Sequence, residues 1–194
     1  TVLVENSAGR DARLAGEHGL SLHVVHGGIA ILHDTGASGL FAENAAILGI
    51  DLSRVDLAVL SHGHYDHGGG LQRFLALNER ARVHLRASGW APRFFRALMV
   101  VKRPIGLDPS LFDRYAHRFE LVTESLEIAP GIVLLTDIGA QHPRPQGNRQ
   151  QDRDHESQTR GRAGDHTDGL FAQLAAKDDV SRRPGILRGR VTRA

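Results

Sequence analysis

The stretch Ser61-His-Gly-His-Tyr-Asp-His-Gly-Gly-Gly70 places three imidazoles and one carboxylate, those of His62, His64, Asp66 and His67, within six positions. It follows Val55-Asp-Leu-Ala-Val-Leu60, an apolar run rich in β-formers that reads as a buried strand. Three glycines and an amphipathic helical pattern come after it. A strand that opens into a ligand-dense loop is a rigid mount for a metal ion. His62 and His64 lie two apart, so extended backbone puts both rings on one side of the strand end, where they can share one ion. Asp66 and His67 come after the chain turns and are expected to face a neighbouring position. Imidazole nitrogen and carboxylate oxygen suit zinc, and iron or manganese take the same donors. Gly68, Gly69 and Gly70 are expected to supply φ > 0 and a close backbone approach to metal or substrate. A solvated histidine-rich turn is the alternative, but four ligand-type residues directly after a buried strand argue against coincidence.

His62-x-His64-x-Asp66-His67 resembles the signature of the metallo-β-lactamase superfamily. Thr1-Val-Leu-Val-Glu-Asn6, Glu17-His-Gly-Leu-Ser21, Ile31-Leu-His-Asp-Thr-Gly36, Asn44-Ala45, Leu48-Gly-Ile-Asp51 and the run from Leu60 to Leu71 resemble its branch related to dihydropterin ribofuranosyl-aminobenzene phosphate synthases, most of whose bacterial members are called metal-dependent hydrolases. The resemblance covers roughly residues 1 to 140. It implies an α/β fold, the four-layer αββα sandwich, with the metal site at one edge between two sheets. It further implies one or two divalent ions held by His62, His64, Asp66 and His67, with zinc expected. Asp66 would act on a metal-activated water, and Asp34, in an Asp-Thr-Gly turn, would orient a ligating histidine from behind. By its residues alone Asp34 is equally an ordinary turn aspartate.

Three activities follow as expectations: hydrolysis of an ester, phosphoester or similar small-molecule electrophile; a C–N bond-forming transfer of the synthase type on a phosphorylated substrate; or no activity, in a truncated fragment that keeps the loop and little else.

Outside the loop, residues 1–6, 20–26, 29–33, 55–60, 81–85, 119–122 and 132–136 read as strands, with Gly27-Gly28 as a hairpin turn. Residues 40–48, 70–78 and 90–101 read as helices, and Asp108-Pro109-Ser110 as a helix start. Pro130-Gly131 reads as the turn between the last two strands. His23, His26 and His84 fall in strand patterns and are read as strand or surface residues. His18 either approaches the site or is a structural turn residue.

The pattern breaks at residue 141. From 141 to 169 there is no Val, Ile, Leu, Met, Phe, Trp or Tyr, so this segment cannot contribute a core face. The chain therefore divides into 1–140, an incomplete metallo-β-lactamase-like domain, and 141–194, an arginine-rich tail expected to be disordered apart from a short helical pattern at 170–177. The tail carries 11 Lys+Arg against 7 Asp+Glu. Its composition fits a GC-rich gene read out of frame, and a frameshift or truncation beyond about residue 143 is the expectation. The Gly-Cys-Ser-His segment of relatives is absent as written, because the chain has no cysteine. Each metal position is then short of the usual three protein ligands, and His142, His155 and His166 in the tail are not expected to complete it. Nucleic-acid binding by the tail is a weak alternative, since its arginines are mixed with acids and lack aromatics for stacking. No apolar run reaches membrane-spanning length and the N-terminus lacks the pattern of a signal peptide, so a cytoplasmic protein is expected. The chain opens on Thr1, which fits processing or a fragment.

Overall fold

The structure is a computed structural model that describes residues 1–9, 11–87, 94–97, 101–136 and 173–176. Its centre is a six-stranded sheet in the order β1-β2-β3-β4-β5-β8. The strands are β1 (Val2–Val4), β2 (Ser21–His26), β3 (Ile29–His33), β4 (Leu57–Leu60), β5 (Arg82–Arg86) and β8 (Phe119–Val122). β1, β2 and β3 pair antiparallel, whereas β3, β4, β5 and β8 run parallel. Gly27 and Gly28, at φ 57° and 82°, make the tight β2–β3 turn, since a two-residue hairpin turn of this hand needs positive φ at both positions.

Parallel strands are covered on both faces, and their sequences show it. All four residues of β4 are buried, and adjacent ones serve opposite cores. Leu32, Ala58, Leu60, Val83 and Leu85 join Phe41, Leu71, Phe74 and Leu111 in a core beneath the helices α1 (Leu40–Ile47), α3 (Leu71–Leu77) and α4 (Pro109–Tyr115). Phe41 and Phe74 are fully buried there, each worth roughly 1.5–3 kcal/mol of transfer free energy. Ile31, Leu57, Val59 and Val122 point the other way, onto Ile132, Leu134 and Ile128. Those belong to a second, three-stranded sheet in the order β11-β10-β9: β9 (Leu126–Ala129), β10 (Ile132–Leu135) and β11 (Gln173–Ala176). Arg86 bridges the two sheets by donating to the Thr136 carbonyl. The described residues thus build three layers, helices on sheet on sheet, and the fourth layer of the expected αββα sandwich is not found among them.

Several local readings are corrected. Within the helix expected at 90–101, Phe94–Ala97 is a strand, β6, paired antiparallel with β7 (Val101–Pro104). Phe94 and Phe95 favour pleated backbone, and an antiparallel partner strand outweighs a weak helical period. A strand, β9, also stands between the two strands expected at 119–122 and 132–136, so the Pro130-Gly131 turn joins β9 to β10. In the tail, the short helical pattern at 170–177 is a strand over its described part: Gln173–Ala176 pairs antiparallel with β10, from Ile132↔Ala176 to Leu135↔Gln173. Alanine-rich sequence favours a helix in isolation, but β10 presents a free edge whose peptide groups need partners. The remaining tail residues, with His142, His155 and His166, lie outside the described residues, as does the expected disorder.

The start of α4 follows the sequence closely. Asp108 caps it, accepting from Ser110 N, with Pro109 in the first turn. No helix among the described residues is long and apolar enough to cross a membrane.

Candidate metal centre

The functional loop emerges where β3 and β4 end side by side. Asp34 directly follows β3, and Ser61 directly follows β4. Asp34 is fully buried and adopts φ 58°, a left-handed conformation that aspartate tolerates better than most residues. That turn aims its carboxylate beneath the loop. Oδ1 accepts from Ser61 N at 2.7 Å and Oδ2 from Ser61 Oγ at 2.8 Å. Oδ2 also lies 2.8 Å from His67 Nδ1. Burial alone would raise the Asp34 carboxyl, but the imidazoles of His33 and His67 overcome that and hold it well below the usual carboxylate range. His33 Nδ1 stands 3.6 Å away, too far for a hydrogen bond, so His33 acts as a neighbouring ring rather than a bonded partner.

Ser61, His62 and Gly63 bend, His64 is extended (φ −90°, ψ 151°), and the chain then turns into the short helix α2 (Tyr65–Gly68). His62 Nε2 and His64 Nδ1 meet at 3.0 Å. The His67 ring lies against His62 with centroids 4.2 Å apart, and His67 Nε2 is 3.6 Å from Asp66 Oδ2. The four motif residues therefore occupy one cluster, in which the His67 ring packs against His62.

The network also orders the protons. Asp34 is anionic and can only accept, so Ser61 donates its hydroxyl to Asp34 and can accept from His62 Nδ1 at 2.9 Å. His67 gives Nδ1–H to Asp34. Both assignments leave the lone pair of the neutral ring on Nε2, which faces His64 Nδ1 at 3.0 Å in His62 and Asp66 Oδ2 at 3.6 Å in His67, the pattern in which a carboxylate or hydroxyl behind an imidazole fixes its ligating nitrogen. Burial, with His67 and His64 beside it, pushes His62 down to about 4, which keeps this ring neutral near pH 7. Burial also presses on His67, but Asp34 and Asp66 more than offset it and raise its pKa.

The glycines act differently from expectation. None of Gly68, Gly69 and Gly70 has positive φ. Their value is proximity to protein rather than to metal. A Cβ on Gly69 would sit 2.2 Å from Ala37 O, one on Gly70 would sit 2.3 Å from Ser38 O, and one on Gly68 would strike the Leu107 side chain. The loop is thereby pressed onto the 35–38 turn, and Thr35 N donates to His67 O at 2.7 Å. On the other flank Tyr65 N donates to Ile105 O.

Ser61 and His18 are the site residues that the motif did not mark. Ser61 is a buried hydroxyl directly before the first histidine, and that adjacency was the available signal. His18 reaches the loop from a distant turn, with Nε2 3.4 Å from Asp66 Oδ2.

Imidazole and carboxylate donors paired at 3.0 and 3.6 Å suit a divalent ion chemically. Among the described residues, however, no three such side chains are already arranged around one point. Each position must be completed by water or by a donor from elsewhere.

The family model of the metallo-β-lactamase superfamily matches residues 16–155. The chain belongs to that superfamily. Its members hold divalent metal ions, in keeping with the donor set above. Over 152 residues the chain is 28% identical to the 7,8-dihydropterin-6-methyl-4-(β-D-ribofuranosyl)-aminobenzene-5'-phosphate synthase of Methanocaldococcus jannaschii, covering 70% of this chain and 49% of that protein. The crystal structure of Tm1679, a metal-dependent hydrolase of the β-lactamase superfamily, superposes with a TM-score of 0.55 at 30% identity, covering 75% of this chain and 50% of that one. The chain thus spans about half the length of these two relatives. The metallo-β-lactamase fold accounts for the mixed sheet and for the ligand-bearing loop at the end of β4.

Proposed function

We propose that this chain carries the ligand-bearing half of a metal-dependent hydrolase acting on a small ester, phosphoester or similar electrophile. The observation that supports it most is the pair of oriented imidazoles: His62 and His67 each have Nδ1 engaged from behind, by Ser61 and Asp34, and Nε2 facing another motif residue, His64 and Asp66 respectively. His62 with His64, and Asp66 with His67, are the residues that would hold one or two divalent ions, zinc by donor type. Such an ion supplies Lewis acidity, acidifying water and polarising a substrate oxygen. Asp66 would accept a proton from the attacking water and orient it. Asp34 and Ser61 hold the His67 and His62 rings from behind and so limit their reorientation.

A second reading is a C–N bond-forming transfer on a phosphorylated substrate, favoured by the resemblance to the Methanocaldococcus jannaschii synthase. Both readings use the same residues and differ in whether water is the nucleophile. The test is metal content per chain after exhaustive dialysis, with release of nitrophenol from phosphate and carboxylate esters measured on the same sample. Retained metal with turnover that disappears in His64→Ala supports the hydrolase. Retained metal without turnover on any ester favours the transfer. A folded chain that retains no metal refutes both.

A further inference from the structure

Among the described residues the Asp66 carboxylate pairs with His67, from the motif itself, and with His18, which arrives from 48 positions earlier in the chain. The turn that carries it is fixed on both sides. Glu17 N donates to Glu5 O, and Gly19 N to Asn6 Oδ1 at 2.9 Å. The Glu17 carboxylate accepts from Ala37 N, Ser38 N and Ser38 Oγ. Leu20 N donates to Asp66 O at 3.3 Å, and Gly36 N donates to Leu20 O. Between these anchors Gly19, at φ 133°, lies so close to the loop that a Cβ there would be 2.0 Å from Asp66 O. Only glycine permits that approach, and it brings the neighbouring side chain to the carboxylate. The Asp66 carboxylate consequently has an imidazole on each side: His18 Nε2 at 3.4 Å and His67 Nε2 at 3.6 Å from the same Oδ2.

We infer that His18 is a positioning residue for Asp66: the pinned 17–20 turn holds the His18 ring against the carboxylate and so sets its direction toward the metal position that Asp66 and His67 share. This rests on the metal reading above and extends it to a residue outside the ligand motif. The His18 side chain is 68% exposed and contributes little packing, so its removal leaves the fold intact while releasing the carboxylate. Partners that orient a ligand from behind typically change metal affinity by 10–100-fold. The long contact and the exposure place His18 at the lower end of that range.

The experiment is a titration of the metal-free full chain with cobalt(II), following the visible absorption of the bound ion, for the wild type and for Asp66→Ala, His18→Ala and His18→Gln. Asp66→Ala identifies the cobalt equivalent that depends on this carboxylate. His18→Ala is expected to weaken that equivalent about tenfold, to alter its absorption band and to leave any Asp66-independent equivalent unchanged, with the thermal midpoint of the metal-free chain unmoved. His18→Gln, which keeps an N–H donor near Nε2, is expected to restore most of the loss. In the Asp66→Ala background, adding His18→Ala should change the remaining binding by less than about twofold, as for groups acting through one another. The inference is overturned if cobalt binds the wild type and His18→Ala has no effect, or weakens every equivalent alike. If the wild type takes up no cobalt at all, the metal reading fails and this inference with it.

Discussion

Replacing Asp34 by alanine tests the central claim, that one buried carboxylate holds the loop in shape. The side chain accepts three hydrogen bonds, from Ser61 N, Ser61 Oγ and His67 Nδ1, at 2.7, 2.8 and 2.8 Å. Bonds to a charged acceptor are each worth about 1.5–3 kcal/mol, but removing the carboxylate also relieves its own desolvation. Ser61 Oγ and His67 can turn toward each other, whereas the buried Ser61 N–H has no substitute. Deleting one member of a buried charged network usually costs about 3–5 kcal/mol. Alanine at φ 58° adds about 1 kcal/mol of backbone strain. The expected total of roughly 4–6 kcal/mol is a large fraction of the 5–15 kcal/mol that stabilises a typical domain. Asp34→Asn keeps the left-handed preference and the bond from Ser61 N, and turns an amide toward a hydroxyl and a ring nitrogen that can accept; about 1–2 kcal/mol is expected. Urea unfolding of the metal-free chain, followed by far-ultraviolet circular dichroism, measures both. A loss below about 1 kcal/mol for Asp34→Ala, with unchanged cooperativity, would refute the central role given to this residue.

Gly70→Ala drives a methyl to 2.3–2.6 Å from Ser38 O, Thr35 O and Phe41, and is expected to cost about 1–3 kcal/mol or more and to lower metal uptake together with stability; a stable, metal-competent Gly70→Ala would show that the loop need not be pressed onto the 35–38 turn. Arg118 is buried and donates to the carbonyls of Asn78 and Ala81, so Arg118→Leu strands those acceptors and should lower the urea midpoint, by about 1–3 kcal/mol for each acceptor left dry. The metal-free chain should lose stability as pH falls below about 6.5. His23, His62 and His84 are each pushed down from 6.5 by burial, so the unfolded chain binds protons that the native one refuses, and their stabilisation is complete only above that value. His67 works the other way, since its raised pKa gives a contribution present below 6.5 and lost as pH rises through its folded value. Three groups oppose one, so a urea midpoint that rises between pH 7 and pH 5 would contradict these burial assignments.

Periodicity and spacing determined much of this protein. The buried β4 and the apolar face of α3 are written in local patterns, because a strand covered on both faces must be apolar throughout and a helix on a sheet needs one apolar stripe. The ligand cluster is also local, four residues within six, which is why its existence is legible without a fold. Asp34 was legible only as half of an ambiguity: a turn aspartate looks the same whether it caps a turn or supports a histidine 33 positions away.

Tertiary structure decided the rest. Strand β6 lies where a helical pattern was read, and β11 where alanines suggested a helix, because a neighbour's unpaired edge outweighs intrinsic propensity over four residues. The glycines after His67 announced freedom of φ, yet the structure uses their lack of a side chain, since the carbonyls of Ala37 and Ser38 that they must pass lie 32 positions upstream. Ser61 and His18 join the site through contacts whose partners are set by which strand ends lie side by side. Residue types and their spacing determined which atoms could bind a metal; the packing of the 17–20 and 34–38 turns against the loop decided which way those atoms point.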